Sequence, residues 1–222
     1  MAIALDAVTT NETHTASSAT YAKTCTGSNL ILVVALALFD SVLGERTVSG
    51  ITYNSVALTK IRSQDVGSGE RVELWYLINP STGSNNVVIT MGGTCSVIDS
   101  AAISLTGAKQ SAQPDASNGV DSQSAEPNDI TVTTVDDNCW IVGIIQWVNQ
   151  SLGSPNGGQT QMINTHTGFI VGSYHGPVTP AGATTHGYTT GAADTACIVA
   201  ASFSPAAITA RPSSMALMGV GT

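Results

Sequence analysis

Residues 30–39 read LILVVALALF and carry no polar side chain at all. Ten residues cannot cross a bilayer as a helix, which takes about 20 apolar positions. Asn29 precedes the run, Asp40 follows it, and Thr, Ser and Gly crowd both flanks. Those flanks point to a strand buried on both faces, although period alone does not separate it from a short buried helix. A strand with no wet face lies centrally in its sheet and needs cover on each side. Residues 139–148, CWIVGIIQWV, have the same character. The two runs are expected to be inner strands of facing sheets.

Turn signals recur along the rest of the chain. The shortest reversal is Asn54-Ser55, which joins strands expected at 48–53 and 56–61. Residues 70–79 alternate most clearly. Val72, Leu74, Tyr76 and Ile78 share one face, and Arg71, Glu73, Trp75 and Leu77 share the other. Residues 87–91, 96–105, 130–135 and 196–203 read as further strands, with weaker ones at 161–164, 169–174 and 186–190. Residues 9–20 read as a polar connection. No long helical period appears. The class is all-β: an antiparallel, jelly-roll-like β-sandwich. Its 222 residues are expected to form a single domain. A long polar excursion near 106–128 exceeds the usual limit for an unstructured loop, and a C-terminal arm is expected near 206–222.

Charge then narrows the partners. The net charge is −8, and the seven basic residues are dispersed, so no phosphate-neutralising patch for nucleic acid is expected. No basic, apolar leader opens the chain, and no membrane contact is expected. Cys25, Cys95, Cys139 and Cys197 form no close pair and read as buried thiols.

Candidate chemistry is sparse. Glu70 and Glu73 resemble an acid pair, but an odd spacing on a strand points them to opposite faces. Residues 115–121 supply oxygens for a cation without the spacing of a calcium loop. His166, His175 and His186 would suit zinc only if the fold gathered them. No nucleophile elbow, Walker loop or dinucleotide fingerprint is present. Catalytic residues, metal ligands and cofactors are therefore all expected to be none. Trp75, with Glu73 and Arg71 on its face, is the candidate contact for protein or glycan if that face is open. If a second layer covers it, Trp75 is core, as Trp140 and Trp147 are expected to be.

The strings TYNSVALT (52–59), ELWYLINP (73–80) and GSNNVVIT (83–90), with MAIALDAV (1–8) and TCTGSNL (24–30), resemble β-sandwich proteins of tailed phages and environmental viruses. The resemblance spans most of the chain and rests on turn and strand residues. It implies a non-enzymatic virion protein, of capsid-decoration or fibre type, assembled in the host cytoplasm and released by lysis. Such a module is expected to form a homo-oligomer, with a trimer as the guess, and to dock on a capsid or other virion protein. The alternative is a carbohydrate-binding or adhesion module using an exposed aromatic face.

Overall fold

The computed structural model describes residues 2–67, 69–123, 128–149 and 153–207. The expected arm at 206–222 falls almost wholly outside them. Fifteen strands are present: β1 (Ala4–Cys25), β2 (Ile31–Phe39), β3 (Val48–Tyr53), β4 (Val56–Ala57), β5 (Thr59–Asp65), β6 (Glu70–Ile78), β7 (Gly83–Thr106), β8 (Ala116–Gln123), β9 (Asn128–Thr133), β10 (Cys139–Trp147), β11 (Ser154–Pro155), β12 (Thr160–Thr165), β13 (Ile170–Val178), β14 (Ala183–Thr189) and β15 (Ala196–Phe203). One short 3-10 turn, η1 (His166–Gly168), separates β12 from β13. The protein is an all-β sandwich of antiparallel sheets.

The first apolar run becomes β2, hydrogen-bonded between β6 and β7. Its odd side chains, Ile31, Val33, Ala35 and Ala37, enter a core shared with Val142 and Ile144 of β10 and Val199 of β15. Its even side chains, Leu32, Val34, Leu36 and Leu38, enter a second core with Ile51, Tyr53, Val87 and Ile89. One sheet supplies both walls of this second core by curling on itself. A flat strand of 24 residues would run about 80 Å. Instead β7 bends: its residues 97–105 pair with β2, and residues 87–91 pair with β3. Gly92 lies at the bend, where an added Cβ would sit 2.6 Å from the Gly44 carbonyl oxygen. β1 follows β7 from end to end, with register shifts between Leu5 and Ala7 and between Ala16 and Ser18. The sheet closes almost to a barrel.

The second run becomes β10, the centre of a five-stranded sheet ordered β12-β13-β10-β15-β8. Val142 and Ile144 face β2, while Ile141, Ile145 and Trp147 face Ile130, Val132 and Tyr188 of a small sheet ordered β11-β14-β9. Both runs are therefore covered twice, as their composition requires.

Several expectations change. The polar connection at 9–20 is part of β1, an edge strand whose Thr and Ser are mostly exposed, with Thr9 and Thr13 half-buried. The excursion near 106–128 contains β8, which pairs with β15. It reads as loop because few of its side chains reach a core. Strands expected separately at 87–91 and 96–105 are two halves of the bent β7. Asn54 and Ser55 both take positive φ, 48° and 64°, as the reversal requires. Its second arm then splits, with β4 pairing to β3 and β5 pairing to β6. All four cysteines are buried free thiols, and burial pushes the Cys139 thiol up to about 11. Among the described residues no helix is long and apolar enough to cross a membrane.

The double cover of β2 predicts a large cavity cost on its even face. Leu36→Ala is expected to destabilise by about 2–5 kcal/mol, whereas Thr10→Ala on exposed β1 should stay within about 0.5 kcal/mol. Urea unfolding midpoints measure both.

Candidate functional site

Trp75, Glu73 and Arg71 are brought together, but inside the protein. Trp75 is 7% exposed and the Glu73 side chain is fully buried. Glu73 accepts hydrogen bonds from Trp75 Nε1 at 2.6 Å, Arg71 Nε at 2.7 Å and Lys60 Nζ at 3.2 Å. Lys60 also stands 4.9 Å from the centre of the Trp75 ring. Arg71 reaches Asp65 at 2.5 Å. Burial opposes the charge on Arg71, but Glu73 and Asp65 outweigh it and raise its pKa. A second layer covers this face, so Trp75 is core beside an internal ion-pair network, with no open ring surface for a sugar.

Glu70 does not join Glu73. It lines a cleft of about 440 Å³ with Phe39, Gln146, Trp147, His166 and Phe169, on the far side of β6 from the Glu73 network. The acidic segment 115–121 does not gather around a cation either. Asp115 accepts from the Ser204 hydroxyl at 2.8 Å and the Val135 N–H at 2.7 Å. Asp121 accepts from Gln64 and from the Asp65 N–H at 2.6 and 2.7 Å, tying β8 to β5.

Two of the three late histidines meet. His175 and His186 stack with ring centres 5.3 Å apart, and their Nδ1 atoms are 3.2 Å from each other. His186 Nε2 lies 3.1 Å from the Tyr188 hydroxyl and 3.3 Å from Ser173 Oγ. Gly143 of β10 makes room, since a Cβ there would come within 2.4 Å of His186 Nε2. Burial, and then the neighbouring His175, depress the His186 pKa to about 3. The pair is neutral and belongs to the packing between β10, β13 and β14.

His166 stands apart from that pair and has different company. Glu12 and His14, two residues apart on β1, point to the same side. Register places Asp99 of β7 directly opposite Glu12. Asp99 continues the inward row of Leu105, Ile103 and Ala101, at the end of the core between the two sheets. η1 crosses that end with His166 and Thr167 both at positive φ, 50° and 56°, and lays His166 Nε2 3.1 Å from Asp99 Oδ2. Thr165 donates to the same oxygen at 2.6 Å. The His14 and His166 rings meet edge to face, 5.4 Å between centres. One ligand atom from each of Glu12, His14, Asp99 and His166 lies within 4.8 Å of the others. Two imidazoles and two carboxylates are a donor set that could hold a metal ion.

Asp99 is fully buried, and its Oδ1 has no hydrogen-bond partner. Burial raises its pKa against the opposing pull of Thr165 and His166. Of the four donors, His166 alone lines the cleft. Sequence reasoning missed Glu12, His14 and Asp99. The available signal was the E-x-H spacing at 12–14 within a run of alternating Thr.

Two measurements check these assignments. Glu73→Ala leaves the Trp75 N–H without its acceptor and Arg71 with Asp65 as its remaining partner, and should cost about 3 kcal/mol in urea unfolding. The depressed His186 pKa means the unfolded chain binds the extra proton first as pH falls below about 6.5. Its contribution to stability is therefore complete above that pH and is lost toward pH 3. Between pH 6 and 4 the wild type should lose up to about 1.4 kcal/mol per pH unit more than His186→Gln. No protein-family model matches this chain, and no curated protein matches it.

Proposed function

We propose that the protein is a non-enzymatic structural component of a virion, of capsid-decoration or fibre type, which self-associates and docks on a protein lattice. The virion assignment draws on the viral resemblance of the turn and strand strings at 52–59, 73–80 and 83–90. Self-association rests on one observation above all. β1 is 22 residues long, and among the described residues it pairs with β7 alone. A long strand edge with unpaired N–H and C=O groups is a template for another strand. Proline, the simplest protection, does not occur in it.

The sparse ionisable lining of the cleft supports the non-enzymatic part: among the described residues it consists of Glu70 and His166. His166 is the single member of the four-donor group that borders the cleft, so the donors do not surround a substrate-sized void. A second reading, glycan capture, is favoured by the aromatic lining of that cleft, Phe39, Trp147 and Phe169, rather than by Trp75.

Light scattering on the eluting protein at tens of micromolar should give an oligomer, and immunogold imaging should place the protein on native particles. Thr20→Lys with Ala22→Lys, both at exposed β1 positions, should shift the oligomer toward monomer. A monomeric wild type with no particle association overturns the proposal. Glycan binding abolished by Phe39→Ala would establish the second reading in its place.

A further inference from the structure

We propose that Glu12, His14, Asp99 and His166 form a binding site for a divalent first-row transition metal of the zinc class. The inference goes beyond the virion reading and does not depend on it. The two imidazoles decide the class of ion. Calcium and magnesium prefer six or more oxygens, whereas mixed imidazole and carboxylate sets suit zinc and its neighbours.

Geometry and burial carry the argument together. Zinc bonds of about 2.0–2.1 Å in a tetrahedron put neighbouring ligand atoms about 3.4 Å apart. Asp99 Oδ2 and His166 Nε2 are already 3.1 Å apart. The full set lies within 4.8 Å, and the two donors on β1, Glu12 and His14, are exposed side chains on one face of the strand, with Glu12 the register partner of Asp99. Asp99 is the second, independent observation. It interrupts an otherwise apolar row, between Ala101 and Val97, with a fully buried carboxylate, one oxygen of which finds no donor among the described residues. An unsatisfied buried carboxylate oxygen costs free energy that packing alone does not return. A cation that also engages Oδ1 would compensate it. Thr165 donates at 2.6 Å to Oδ2, the oxygen that also faces His166 Nε2, and so helps to fix the orientation of the carboxylate.

The ion would tie three segments. β1 and β7 belong to the curled sheet, while η1 follows β12 of the other. Metal binding would therefore staple the end of the inter-sheet core and raise the stability of the whole sandwich.

The test uses the full chain, stripped of metal and titrated with Zn²⁺ by calorimetry against a competing chelator. The expected result is one ion per chain, an unfolding midpoint that rises with free Zn²⁺, and no such response to Ca²⁺. His166→Ala and Asp99→Asn should weaken binding by about tenfold or more. Because Asp99→Asn disturbs a buried position, Glu12→Gln and His14→Ala provide the second arm. Both are exposed, should shift the metal-free unfolding midpoint far less than Asp99→Asn does, and should still weaken Zn²⁺ binding. Zinc-edge absorption should show imidazole and oxygen ligands without sulfur. No Zn²⁺ binding by the wild type overturns the proposal. So does binding left undiminished in the His14→Ala and His166→Ala variants, or equal response to Zn²⁺ and Ca²⁺.

Discussion

Two strands without a polar face must each be covered on both sides, and the remaining layers can be derived from that demand. β2 and β10 cover one another across the central core through Val33, Ala35, Val142 and Ile144. Each then has a second face to hide. β10 does so with a separate small sheet carrying Ile130, Val132 and Tyr188. β2 does so with its own sheet, folded over by the bend in β7, so that Ile51, Tyr53 and Val87 meet Leu32, Val34 and Leu36. The two solutions differ because β7 is long enough to serve both walls of a barrel, whereas β13 and β15, flanking β10, are nine and eight residues long.

An interior this apolar tolerates charge only where donors surround it. Asp40 is buried and accepts from the Ser96 N–H, the Ser96 hydroxyl and the Val42 N–H, which hold its pKa below the usual carboxylate range. Glu73 has three donors. Lys23, equally buried, donates to the Ala7 carbonyl across the bend of β1. Burial lowers its pKa. Asp99 departs from this pattern: both hydrogen bonds go to Oδ2, and Oδ1 has none. A carboxylate half-satisfied at the edge of a core, beside three further metal-ligating side chains, calls for a different explanation from a carboxylate held in a closed network.

What could be read from the sequence follows the same physics. Residues 30–39 announce a doubly covered strand because they lack any polar residue, 139–148 do so with Gln146 as the exception, and 70–79 announces a strand because alternation survives when the two faces differ. Residues 9–20 defeat that reading. Both faces of this stretch are largely polar, so it carries no alternation to detect, and its strand character comes from pairing with residues 88–102 of β7. β8 is hidden for the same reason. Reading residues 9–20 as a connection also hid Glu12 and His14, since a face can be assigned only to residues in a strand. His166 was visible as a candidate, but its partners depended on a register that no local pattern encodes.

β1 thus carries both an edge left unpaired among the described residues and half of the proposed metal-ligating side chains, and the geometry of a strand keeps the two apart. Backbone N–H and C=O groups lie in the plane of the sheet, where a second strand would pair, whereas side chains stand perpendicular to it. Glu12 and His14 point toward Asp99 and the inter-sheet space. A strand added along the outer edge of β1 would therefore leave them in place. An ion held there would in turn fix the backbone of β1 around residues 12–14, close to the irregularity between Ala16 and Ser18 where the ribbon turns over β2. Stiffening the strand at that point lowers the conformational entropy it has left to lose on pairing. Metal binding and edge association would then reinforce one another, through a strand whose order both require.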